Sequence, residues 1–178
     1  MRPYRLGNRQ AAADQTRARI LRAAHDVIAS GSPPAVGEIA RRAGVSRITV
    51  YNRFGSRAGV VDALRSPDSP SPPVTDMAAR DQLDLHLARA CTRWAADPAF
   101  FRHLPAGAER DEDEIRRGLA ERLAREDALR PGCSIKEAED VIAVLMSFAV
   151  FDRLYKDGRR PAAAVADMLM RLAAGILA

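Results

Sequence analysis

VGEIARRAGVSRITVYNRFGSR, Val36 to Arg57, is the stretch on which the reading of this chain turns. Two short helical patterns meet at Gly44-Val45-Ser46. Val36, Ile39, Ala40 and Ala43 recur at helical spacing, so one face of the first helix is apolar. Gly44 then ends that helix, because glycine tolerates the left-handed conformation common just past a helix end. Ser46 stands where an N-cap belongs and its hydroxyl can accept from the free amides of the next turn. Val45, Val50 and Phe54 fall on the inner side. Gly55 closes the second helix, and Ser56 can cap another.

The outer side of the second helix carries Arg47, Ile48, Thr49, Tyr51, Asn52 and Arg53, with Ser46 before it and Arg57 behind. These groups suit phosphate oxygens and base edges, and none is acidic. A Gly-x-Ser turn also joins ordinary helical hairpins. The short second helix and its acid-free outer face instead point to a helix-turn-helix with double-stranded DNA as partner. Asn52 is the first choice for a base edge; Tyr51 and Arg57 are expected on phosphates.

Residues 15–65 resemble the DNA-binding domain of the tetracycline-repressor-like (TetR) regulators. The resemblance rests on Thr16-Arg17, on Ile20-Leu21-x-Ala23-Ala24, on Ile39-Ala40-x-x-Ala43-Gly44-Val45-Ser46, and on Thr49-Val50-Tyr51-x-x-Phe54-Gly55-Ser56-Arg57. It covers under a third of the chain. It implies an all-α homodimer with an N-terminal three-helix reader and a C-terminal ligand-sensing and dimerisation domain. Three positions depart from the pattern. Pro34-Ala35-Val36 stands where such proteins usually carry a phosphate-binding threonine near the start of the second helix. Ile48 replaces a small residue or proline and is either a packing residue or a contact to a thymine methyl. Arg53 replaces the usual histidine and keeps a permanent charge.

Charge supports a division of labour. The chain has 178 residues and a formal charge of +5. Residues 1–66 hold 12 arginines and 4 acids, a balance of +8, while residues 67–178 hold 16 basic and 19 acidic residues, a balance of −3. A basic N-terminal third joined to a mildly acidic remainder fits a nucleic-acid reader attached to a part that does not touch DNA. No apolar run approaches the roughly 18 residues of a membrane span, and no signal-peptide pattern opens the chain. Cys91 and Cys133 have no metal-type spacing. A cytoplasmic protein without membrane contact, metal or cofactor is the expectation.

The order along the chain follows. Residues 1–13 read as a flexible basic arm and 14–65 as the DNA-binding domain. Residues 66–75, SPDSPSPPVT, have four prolines in eight positions and read as a stiff linker. Residues 76–178 read as a helical regulatory and dimerisation domain. Its helices are expected over 77–96, a short piece from Asp97-Pro98, 109–129, an uninterrupted helix to Lys156 capped by Ser134 with Glu137, and a last helix after Pro161. The acids at 111–114 suit a helix's first turn and need no ion.

The helix before Lys156 is apolar on nearly every side and must be covered on nearly every side. A second copy, packed as an isologous four-helix bundle through the last two helices, is the natural cover. Val141, Leu145, Phe148, Val165, Met168, Leu169 and Leu172 are the candidates for that contact. A cavity for an apolar or aromatic inducer would draw on Leu87, Cys91, Trp94, Phe100, Phe101, Leu104, Leu119, Met146 and Val150. Coupling between reader and sensor is expected to run through residues 57–65, chiefly Val60, Val61 and Leu64. No phosphate loop, paired-histidine motif or nucleophile elbow is present, so catalytic residues and an enzyme are not expected. The function read from the sequence is a transcriptional repressor released from a palindromic operator by a small ligand. The alternative is a helix-turn-helix protein without such a ligand, controlled by a protein partner or by cysteine redox state.

Overall fold

The computed structural model describes residues 4–65, 77–105 and 110–177, and every element among them is helical. The linker expected over 66–75 lies outside the described residues. The chain divides into two compact units, one of residues 1–70 with 99–107 and one of residues 71–98 with 108–178.

The first unit contains α1 (Tyr4–Ala29), α2 (Val36–Ala43), α3 (Arg47–Phe54), α4 (Arg57–Arg65) and nearly all of α6 (Pro98–His103). Helix α1 begins ten residues before Asp14, within the stretch expected to be an arm. The reason is local. Gln10 and Ala11 to Ala13 are good helix formers. Gln10 also donates to Asp14 Oδ1 at 3.1 Å, and the Thr16 hydroxyl donates to the Ala12 carbonyl at 2.8 Å. Ile20, Ala24 and Val27 of α1 then bury against Val36, Ile39, Ala40 and Ala43 of α2, Val50 of α3 and Val60 of α4. Val45 and Phe54 close the edges of that core. Val50 is fully buried, and burying a side chain of this kind contributes about 1.5–3 kcal/mol.

A second cluster in this unit joins Ile28 of α1, Val61 of α4 and Phe100 of α6, with Leu64, Phe101 and Leu104 against it. The His25 ring stacks on Phe100 with centroids 4.7 Å apart. Arg65 donates to the Pro105 carbonyl. Thus Phe100, Phe101 and Leu104, which the sequence places in the C-terminal domain, pack in the N-terminal unit. Val61 and Leu64 of the proposed coupling helix meet α6.

The second unit contains α5 (Ala79–Ala96), α7 (Arg110–Arg125), α8 (Ile135–Leu145), α9 (Phe148–Asp152) and α10 (Ala162–Leu177). Leu83, Leu87, Cys91 and Trp94 of α5 are buried, as are Leu119 and Leu123 of α7 and Val165, Leu169 and Ala173 of α10. Helices α5 and α10 pack together, as do α7 and α8. Ser134 caps α8, its hydroxyl accepting from the Glu137 amide at 3.1 Å.

The helix expected to run unbroken to Lys156 stops at Leu145. Ser147 is extended, with φ −89° and ψ 129°, and α9 starts behind it and passes into a π-helical turn, Arg153–Asp157. Ser147 takes the N-cap position of α9, a place serine favours over a helix interior, without a side-chain cap hydrogen bond. The new direction brings Phe148 and Phe151 onto Trp94, at centroid distances of 6.0 and 5.3 Å, and Tyr155 stacks on Phe151 at 5.0 Å.

Candidate nucleic-acid interface

The interface is built around the turn between α2 and α3. Gly44 adopts φ 64°, which lets the Val45 amide reach back to the Ala40 carbonyl at 3.0 Å. Ser46 then opens α3: its hydroxyl accepts from the Thr49 amide at 3.1 Å and bonds the Thr49 hydroxyl at 2.9 Å. With Val50 anchored in the core, the opposite face of α3 is forced outward. Arg47, Ile48, Tyr51, Asn52 and Arg53 are all exposed, Ile48 to 70% and Tyr51 to 50%. Thr49 is half-buried, and Ser46 and Arg57 are exposed. All eight residues expected to face DNA therefore lie on α3 or at the two helix starts flanking it.

A 70% exposed isoleucine on a helix of eight residues is not packing its own fold. Apolar side chains held outward beside an arginine and an amide suit a groove that offers both thymine methyls and polar base edges. Helix α3 is fixed at both ends. Gly55 caps it with φ 72°, its amide donating to the Tyr51 carbonyl at 2.8 Å. The Arg17 guanidinium of α1 lies 5.2 Å from the centre of the Phe54 ring. Ser56 caps α4 through the Gly59 amide at 3.0 Å.

Two features escaped the sequence reading. Glu38 binds both arginines behind it, accepting from Arg41 Nη2 at 2.6 Å and from Arg42 Nε at 2.7 Å. Hydrogen bonds from Arg41 first and Arg42 second hold its carboxyl down at about 2. The E-x-x-R-R spacing carried that signal, since residues three and four apart share a helix face. The second feature is Arg47, whose guanidinium folds back over Gly37 of α2. A β-carbon on Gly37 would lie 2.8 Å from Nη2 and 3.0 Å from Nε. No pattern in the sequence announces it.

Residues 20–64 match the family model described as bacterial regulatory proteins of the tetR family. That match gives the N-terminal unit a DNA-binding domain of the tetR-family kind. The match supports a DNA-binding transcription regulator, with residues 20–64 as its reader. The solved structure of NalD, titled the secondary repressor of the MexAB-OprM multidrug efflux pump in Pseudomonas aeruginosa, is similar in fold. The TM-score is 0.71 at 22% identity, over 93% of this chain and 98% of that one. At that identity the likeness speaks for the fold alone. No curated protein matches this chain in sequence. No helix among the described residues is long and apolar enough to cross a membrane.

The remaining site residues fall in separate places. Of the nine pocket candidates, Leu87, Cys91, Trp94 and Leu119 are buried in the second unit, and Met146 and Val150 are half-buried there. Phe100, Phe101 and Leu104 belong to the first unit, so the nine do not assemble in one unit. Burial pushes the Cys91 thiol up to about 11. It also raises the Cys133 thiol, with Glu137 adding to the effect. His86 is lowered by burial and then by Arg89. Of the dimerisation candidates, Leu145, Val165 and Leu169 are fully covered within the chain itself. Val141, Phe148 and Met168 are half-buried, and Leu172 is 44% exposed. Ile135 and Val144, not singled out from the sequence, are 46% and 58% exposed. An open groove of about 510 Å³ runs along α8 between Ser134 and Leu145, with Val141 and Val144 in its lining.

Proposed function

We propose that this chain is a homodimeric repressor that reads a near-palindromic operator with α3 and is released by a small apolar or aromatic ligand. The observation that carries the DNA half is the outer face of α3: five exposed side chains capable of groove and phosphate contact, no acid, and a buried valine fixing the register. In helix-turn-helix proteins the second helix enters the major groove while the first crosses the backbone. Two copies related by a two-fold axis then place their reading helices about 34–36 Å apart, one turn of DNA.

The dimer half rests on Val144 and Ile135 of α8 and Leu172 of α10, large apolar side chains left exposed. An isologous contact through α8 and α10 would cover them. The ligand half rests on the aromatic cluster of Trp94, Phe148, Phe151 and Tyr155, which suits an apolar or aromatic molecule. Control by cysteine oxidation is the weaker reading, because thiolate is the reactive form and burial keeps Cys91 protonated.

The test is Asn52→Ala in a binding assay across single-base variants of a selected operator. The variant should relax preference at one position by about 1–3 kcal/mol. An unchanged preference at every position would remove Asn52 from the reading set.

A further inference from the structure

We propose that Arg47 holds the DNA backbone rather than a base edge, and that Gly37 is the residue that puts it there. The proposal rests on the DNA-binding reading and assigns a role within it. By sequence position Arg47, the first residue of the reading helix, suits a base edge as well as a phosphate. Its side chain does not extend along that helix's outer face. It turns back onto α2, where Nη2, Nε and Cζ crowd the space a β-carbon on Gly37 would occupy, at 2.8, 3.0 and 3.1 Å. A β-carbon there would push the guanidinium, the far end of a flexible side chain, off this position.

Three observations make this position one for a phosphate. Helix α2 is the first helix of the motif, the one that crosses the backbone when the second lies in the groove. A charge laid over its first turn is therefore over the phosphates. Next, the guanidinium is uncommitted. No described acceptor hydrogen-bonds Arg47, and the nearby acid on α2, Glu38, is engaged by Arg41 and Arg42. Finally, the start of α2 offers no side-chain group of its own: Ala35 occupies the cap position and makes no cap hydrogen bond. A guanidinium brought in from α3 supplies there the planar donor pair that phosphate oxygens accept well. Base reading is then left to the groups that remain outward on α3, Ile48 and Asn52 among them.

The test measures binding of wild type, Arg47→Ala, Gly37→Ala and the double variant. Each is titrated with a duplex selected from random sequence and with its single-base variants, from 50 to 200 mM salt. A methyl at Gly37 meets only the mobile end of an arginine side chain, and alanine is a better helix former than glycine, so both single variants should fold. Arg47→Ala should weaken every duplex by the same factor. It should flatten the salt slope by about one charge, so that its deficit against wild type shrinks by about threefold over that salt range. Base preference at each position should stay as in wild type. Gly37→Ala should change affinity in the wild-type background and have no effect once Arg47 is gone.

Loss of preference at one base pair in Arg47→Ala, with the salt slope unchanged, would make Arg47 a base reader and overturn the proposal. An equal effect of Gly37→Ala with and without Arg47 would also overturn it, since the glycine would then act through something else. A wild-type protein that binds no duplex would overturn the DNA reading as well, and that result is seen before any variant is made.

Discussion

The Phe54 carbonyl oxygen occupies the place where a β-carbon on Gly59 would have to go. The end of the reading helix and the first turn of α4 are thus in backbone contact, and the α3–α4 corner leaves no room for a side chain at residue 59. The atom in the way is backbone and cannot swing aside. Gly59→Ala should destabilise the N-terminal unit by about 1–3 kcal/mol, as overpacking does. Gly118→Ala, in α7, is the control: a β-carbon there meets nothing within 4 Å, and the substitution should stabilise by about 0.5–1 kcal/mol. Thermal melts of the two variants should shift in opposite directions.

Glu38 restrains two arginines beside the DNA-facing helix. With its carboxylate replaced in Glu38→Gln, Arg41 and Arg42 become free to bind phosphates. Affinity for arbitrary duplex should rise and its salt dependence should steepen, since each added phosphate contact releases counterions. Preference among sequences should fall, because only the non-specific part gains. The same ion pairs set a pH response. The folded carboxyl titrates near 2, below its ordinary value of 4.5. Their contribution to α2 is therefore complete above about 4.5 and is lost as pH falls towards 2. Protection of the α2 amides, taken relative to the intrinsic exchange rate at each pH, should fall over that window in wild type and show no such step in Glu38→Gln.

The two thiols separate the ligand reading from the redox one. Cys91 is 1% exposed and pushed up to about 11, while Cys133 is half-buried in a turn. An alkylating reagent at pH 8 should label Cys133 well before Cys91, and Cys133 modification should leave DNA affinity unchanged. Fast labelling of Cys91 in the folded protein, with loss of DNA binding, would favour control by oxidation.

The reader was legible in the sequence because each of its decisions is local. Gly44, Ser46, Gly55 and Ser56 announce the ends of helices through their own backbone and hydroxyl chemistry, and the structure uses all four in those roles. The outward set on α3 followed from the inward positions of Val50 and Phe54. What stayed hidden depends on tertiary contact. Ser147 breaks a run that is otherwise apolar, and one serine in such a run is weak evidence until Trp94 is seen waiting for Phe148 and Phe151. Phe100 packs on Ile28 and Val61 some forty or more residues earlier, and no periodicity encodes that choice of partner. The fold-back of Arg47 depends on an absent atom at Gly37.

Leu169 is fully buried in its own chain, so a charge there would unfold the unit and say nothing about association. Val144 is 58% exposed and Leu172 44% exposed. Val144→Glu or Leu172→Glu should leave the helical content and the melting transition of the isolated chain largely intact while shifting sedimentation from dimer to monomer. Operator affinity should fall steeply, because one half-site supplies only part of the contacts. A fully dimeric Val144→Glu, Leu172→Glu double variant would place the contact elsewhere.

The central claim is that two copies of this chain read DNA through α3. Selection of bound duplexes from a random-sequence pool by the wild-type protein, at near-physiological salt, tests it most directly. The selected duplex should be a near-palindrome whose half-site centres are about 10–10.5 base pairs apart or a multiple of that spacing. Enriched positions should disappear one at a time with substitutions on the outer face of α3. A selected pool with no enriched sequence, or one with a single unrepeated half-site, would contradict it.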